Sequence, residues 1–228
     1  MTTDRTFRWV VRGVFAACLI YIYFGVCRQP VFAKYKFLLE NVFLAYVPIE
    51  LSFHLEERTP RLIFWLVFPF WFFFYPNAPY MLTDFFHLAL DDPYIIRANG
   101  ARTGLLRPDM RMWLMFANLS VTALLSTFVG VLTLHRVVSV LLRRQRWWSM
   151  WRHVALMLAF TVIASVGIYI GRFPRIHTAH IVTQPAEALR RIAEFWDVQL
   201  PVFTAILTSL QMFVWGLLLL IGRCRFWQ

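Results

Sequence analysis

The stretch RLIFWLVFPFWFFF, Arg61 to Phe74, decides the fold. Its one charge is its first residue, and it holds no other polar side chain. Apolar and polar residues do not alternate along it, which argues against a strand of a membrane barrel. In lipid, backbone polar groups must be paired within the segment, so such a run is a helix. The chain then reads YPNAPYMLTDFFHLALDD, Tyr75 to Asp92, and sets Asn77, Tyr80, Thr83, Asp84, His87 and Asp91 where it leaves the apolar run.

Working outward, the same character holds along the 228 residues, 60% of them hydrophobic and only 15% charged, with mean hydropathy +0.59. Soluble domains are nearer half apolar. A span needs about 20 mostly apolar residues. By that measure the chain is all-α: a polytopic transmembrane helix bundle of about six spans, over roughly 9–27, 37–54, 62–75, 112–134, 153–170 and 200–221. Residues 1–228 form a single integral membrane domain. Short interfacial helices are expected over about 78–91 in the third loop and about 186–198 in the fifth. In the latter, Leu189, Ile192, Ala193 and Trp196 share one stripe. The intervening stretch from Asp91 to Asp109, with Pro93, Gly100, Gly104 and Pro108, reads as a hinge loop.

The net charge of +11 does not point to nucleic acid, because the basic residues sit in short clusters at span ends. There they act as lipid headgroup contacts and topology signals. The partner implied is the lipid bilayer, with a homo-oligomer or membrane-complex partner left open. The dense short cluster Arg143, Arg144, Arg146 and Arg152 places both termini in the cytoplasm and the third and fifth loops outside. The cysteines Cys18, Cys27 and Cys224 read as small buried hydrophobes.

Two polar clusters carry the chemistry. On an α-helix, Asn77, Tyr80, Asp84, His87 and Asp91 are spaced three, four, three and four, forming one stripe without lysine or arginine. Asn77 is placed to cap this helix. The second cluster is GRFPRIHTAHIVTQP, Gly171 to Pro185. Asp84, His87 and Arg172 are the candidate catalytic residues, an acid–base pair beside an anion-binding guanidinium. Asn77, Tyr80, Thr83 and Thr183 are candidate substrate contacts. Asp84, His87, His177 and His180 offer four nitrogen and oxygen ligands to a divalent metal such as zinc. The structural alternative is that Asp84 pairs with Arg172 to pin two loops together. Inside the second span, Asn41 reads as an interhelical hydrogen bond, whereas Glu50, one turn from His54, is either a relay carboxylate or a structural pair. His135 and His153 read as interfacial residues.

At these residues the chain resembles the bacterial membrane family called domain of unknown function 1361. The resemblance rests on ENVFLAYVPIEL, FYPNAPYMLTDFFHL and GIYIGRFPRIHTAHIVTQP. Asn41, Pro48, Asn77, Pro79, Tyr80, Thr83, Asp84, His87, Gly171, Arg172, Phe173 and Thr183 match its pattern. The third block departs from it: His177 stands for an asparagine and His180 for an aspartate, so a four-ligand metal site would belong to this branch alone. The resemblance implies a multi-pass protein of the bacterial cell membrane and supplies no reaction. Three functions stay open: an enzyme acting on a lipid or envelope substrate from the extracytoplasmic membrane face, an accessory or assembly subunit, and a small transporter.

Overall fold

The computed structural model describes residues 2–91, 93–97, 100–173, 190 and 199–222. Helix α1 (Thr2–Ile22) runs through a short π-helical turn (Tyr23–Cys27), and a 3-10 turn (Pro30–Tyr35) leads into α2 (Phe37–Ser52). Helix α3 (Arg61–Phe74) is followed by the single turn α4 (Asn77–Tyr80) and a 3-10 helix (Met81–Asp91). A small hairpin of β1 (Tyr94–Ile96) and β2 (Arg102–Leu106) precedes α5 (Met110–Arg144), α6 (Met150–Arg172) and α7 (Gln199–Gly222).

The chain is an all-helical membrane bundle. Among the described residues, five helical segments are long and apolar enough to cross a bilayer: Arg5–Cys27, Arg61–Ala89, Met110–Arg144, Met150–Arg172 and Gln199–Gly222. The sixth expected span is α2, and its 16 residues reach only about 24 Å at 1.5 Å per residue. The sequence run looked longer because Phe53 and His54 continue it, but they form a turn that closes on Glu50 and Leu51.

Helix α5 divides the interior. One apolar cluster packs Phe15, Ile22, Leu38 and Ile49 against Met115 and Leu119 of α5. The other packs Phe64 and Trp71 of α3 with Val131 and Leu134 of α5, Met157 of α6 and Trp215 of α7. Between them the NAPY turn is driven against α5. A Cβ on Gly130 would meet the Ala78 Cβ at 2.7 Å, so the approach requires glycine there. A Cβ on Gly167 of α6 would meet the Pro76 side chain at 3.3 Å. These small-residue contacts lock the start of the polar stretch between two long helices.

Three expectations change. The helix over 78–91 is not an α-helix beyond Tyr80: its 3-10 form has three residues per turn, which eclipses positions i and i+3. Asp84 and His87 therefore share a ridge, and the four-residue steps of the expected stripe lose their alignment. Asn77 is not the cap. That position falls on Pro76, and the Asn77 amide instead donates back to the Phe74 carbonyl at 2.9 Å. The hinge loop contains an antiparallel hairpin, with Gly100 (φ 81°) and Gly104 (φ 76°) in the left-handed region glycine tolerates. Cys18 and Cys27 are free thiols, both only partly buried.

Candidate functional site

The site is built from three elements that meet at one end of the bundle: the start of α2, the 3-10 helix and the end of α6. Asp84 is completely buried. Its Oδ2 accepts from the Asn41 amide of α2 at 2.8 Å. Its Oδ1 faces two nitrogens, Arg172 Nη1 of α6 and His87 Nδ1 of its own ridge, each at 3.6 Å. That separation is within ion-pair range but beyond hydrogen-bond range. Among the described residues no hydrogen-bond donor reaches Oδ1. A buried carboxylate is costly unless its charge is met, and at Oδ1 the facing charge comes from Arg172 across that gap.

Arg172 Nη1 donates to the Tyr80 hydroxyl at 3.3 Å, and its guanidinium lies 5.9 Å from the Tyr80 ring centre. His87 is oriented from two sides. Its ring stacks on Phe37 with centroids 4.0 Å apart, and Nδ1 lies 3.2 Å from the Asp84 main-chain carbonyl. A carbonyl oxygen can only accept, so Nδ1 carries the proton in this bond and Nε2 is the basic nitrogen of the neutral ring. Thr83 is nearly buried and donates to the Tyr80 carbonyl at 2.8 Å, so its hydroxyl braces the helix. Asn77 does the same through Phe74. Of the sequence candidates, Asp84, His87, Arg172 and Tyr80 thus lie together. Thr183, His177 and His180 lie outside the described residues, as does the expected helix over 186–198 apart from residue 190. Among the described residues, no group of three or more metal-binding side chains forms.

Two neighbours of the site carried little signal in the sequence. Asn41 was readable as an interhelical hydrogen bond, but nothing in its spacing names Asp84, 43 residues away, as its partner. Phe37 is one aromatic among many, and only its place at the start of α2 brings it to His87.

Glu50, at the opposite end of α2, is held differently. Arg12 of α1 clasps it in bidentate fashion, Nε to Oε2 at 3.0 Å and Nη2 to Oε1 at 2.5 Å. The Tyr46 hydroxyl donates to Oε2 at 2.6 Å, while His54 Nε2 stands off at 3.7 Å. Both acceptor oxygens are engaged by fixed donors. His153 also departs from the interfacial reading: it is buried, its Nε2 lies 2.9 Å from His135 Nδ1, and Trp215 Nε1 donates to the same Nδ1 at 3.1 Å.

Residues 40–214 match the family described as a protein of unknown function (DUF1361), and the chain belongs to that family. The match covers Asn41, the whole stretch from Asn77 to His87, and Arg172. No curated protein and no solved structure matches the chain.

Proposed function

We propose that the cluster of Asp84, His87, Arg172 and Tyr80 is a polar site at the extracytoplasmic face of a cell membrane, and that it acts on a phosphate-bearing lipid or envelope substrate. The observation that carries this reading is a fully buried Asp84 whose Oδ1 lies 3.6 Å from both a guanidinium and an imidazole and accepts no hydrogen bond among the described residues. A carboxylate serving only as a pin would close on its cation with direct, charge-assisted hydrogen bonds at about 2.7–2.9 Å. Here the pair stands slightly open, with Arg172 and His87 both partly exposed.

The roles follow from the geometry. Arg172, braced by Tyr80, supplies fixed donors for an anionic group. Asp84 orients His87 through its main-chain carbonyl, and His87 Nε2 takes a proton from a hydroxyl or water. Asn41 holds Asp84 in place. Both termini lie in the cytoplasm, because the dense basic cluster from Arg143 to Arg152 caps the other end.

The test is turnover. Full-length protein in lipid nanodiscs, offered a phosphate-bearing lipid, should give a product whose formation falls by about 100-fold in His87→Ala. Product at the wild-type rate in that variant would refute the acid–base role. Metal analysis of the same preparation addresses the ligand reading. About one equivalent lost in Asp84→Ala would make Asp84 and His87 half of a metal site completed by His177 and His180.

A second reading, the accessory subunit, is favoured by one observation: Asp84 also ties α2 and α6 to the 3-10 helix. The transporter reading has less support, because Glu50 is bound at both oxygens by Arg12 and Tyr46.

A further inference from the structure

The end of the bundle opposite Asp84 holds two short loops, 53–60 and 145–149, that are fastened together. Arg144 Nη1 donates to the carbonyls of Glu56 at 2.8 Å, Glu57 at 3.0 Å and Thr59 at 2.8 Å. Arg143 pairs with the Glu57 carboxylate at 3.0 Å. From the other side, Arg8 pairs with Glu56 and donates to the Phe53 carbonyl at 3.1 Å. These three arginines are consumed in building the joint.

Four others are not. Arg58, Arg61, Arg146 and Arg152 are all exposed. The side chains of Arg58, Arg61 and Arg146 make no hydrogen bond or ion pair among the described residues, and Arg152 makes one long contact, to the Trp147 carbonyl at 3.4 Å. Beside them stand Trp147, 62% exposed, and Trp151, 82% exposed. Arg146 turns the chain just before Trp147 with a left-handed backbone, φ 55°. The acidic groups of the joint, Glu56 and Glu57, are already paired, so the surface carries a local excess of positive charge next to large amphipathic rings.

We propose that this joint is a binding surface for anionic phospholipid headgroups, with Arg58, Arg61, Arg146 and Arg152 meeting the phosphates and Trp147 and Trp151 seated at headgroup depth. Tryptophan favours that depth because one edge of its ring is polar and the rest apolar. A basic residue near an anionic bilayer surface adds affinity that salt screens within a Debye length. The inference goes beyond a general preference for basic loops, since it separates arginines spent on structure from those left for lipid. It stands independently of the Asp84 site at the other end.

The experiment uses the full-length protein in nanodiscs of mixed phosphatidylcholine and phosphatidylglycerol, with retained lipid counted by native mass spectrometry. Wild type should enrich phosphatidylglycerol, and high salt should remove the enrichment. In Arg58→Gln/Arg61→Gln/Arg146→Gln/Arg152→Gln the enrichment should fall roughly tenfold, while the thermal midpoint in pure phosphatidylcholine stays at the wild-type value. If that variant does not fold, Arg146→Gln/Arg152→Gln should show a partial loss. Arg111→Gln, at the start of α5 and so at the opposite end from this joint, should not reduce this salt-sensitive enrichment. Equal retention of the two lipids by wild type, enrichment that persists in high salt, or a folded variant that enriches as well as wild type would overturn the proposal.

Discussion

Among the described residues, Asp84 is hydrogen-bonded on one oxygen and faces Arg172 and His87 at ion-pair distance on the other, and the two halves predict different substitutions. Asp84→Asn keeps an acceptor for Asn41 but removes the charge facing Arg172, and should destabilise by about 1–2 kcal/mol. Asp84→Ala also strands the Asn41 amide beside an uncompensated guanidinium, and should cost about 3 kcal/mol. Thermal unfolding in detergent would rank the two, and an Asp84→Asn variant less stable than Asp84→Ala would contradict the bonding described. The residue types at this site were legible in the sequence, because a carboxylate, an imidazole and a guanidinium at span ends stand out against apolar neighbours. Their partners were less so. Spacing within a helix names i+3 and i+4 neighbours, which is why His54 suggested itself for Glu50. It cannot name Arg12, 38 residues earlier on another helix, which makes the shorter bonds. A double-mutant cycle on Arg12→Gln and Glu50→Gln should show strong coupling in thermal midpoint, while Glu50→Gln/His54→Gln should be nearly additive.

Among the elements, the departures have local causes. Apolar composition gives the existence of a helix but not its pitch, so the change from α to 3-10 after Tyr80 was invisible. That change keeps Asp84 and His87 on one ridge. The hairpin was missed because Pro93, Gly100, Gly104 and Pro108 read as breakers, although the dipeptide Asn99-Gly100 after Tyr94, Ile95 and Ile96 is a hairpin signal. The close crossing of the NAPY turn and α5 is a tertiary fact with a sharp consequence. Gly130→Ala forces its methyl against the Ala78 Cβ, 2.7 Å away, and should cost about 1–3 kcal/mol. Gly171→Ala, whose Cβ meets nothing within 4 Å, is the matched control. Equal midpoints for the two variants would show that the crossing is not tight.

Across the whole molecule, the two ends of the bundle differ in kind. One gathers arginines around Glu56 and Glu57, and the other buries Asp84 beneath Arg172 and His87. The general fold was legible because lipid imposes helices on continuous apolar runs. The weakest part of that reading was α2, whose 16 residues fall short of a full span yet link Asn41 at one end with Glu50 at the other. The orientation predicts that a cysteine at position 95 in the hairpin is labelled only from outside intact cells, and one at position 147 only from the cytoplasm. Labelling with the reverse pattern would turn the site to face the cytoplasm.

The central claim is that Arg172 and His87 meet a ligand and do not merely join helices. It is tested most directly by titrating a short-chain phosphatidic acid into the purified full-length protein by calorimetry, with thermal midpoints measured in parallel. Arg172→Gln should weaken binding by at least about tenfold, through loss of charge-assisted hydrogen bonds. His87→Ala should leave the midpoint within a few degrees of wild type. Binding that is unchanged in Arg172→Gln, accompanied only by a lowered midpoint, would contradict the account and make the cluster a structural joint.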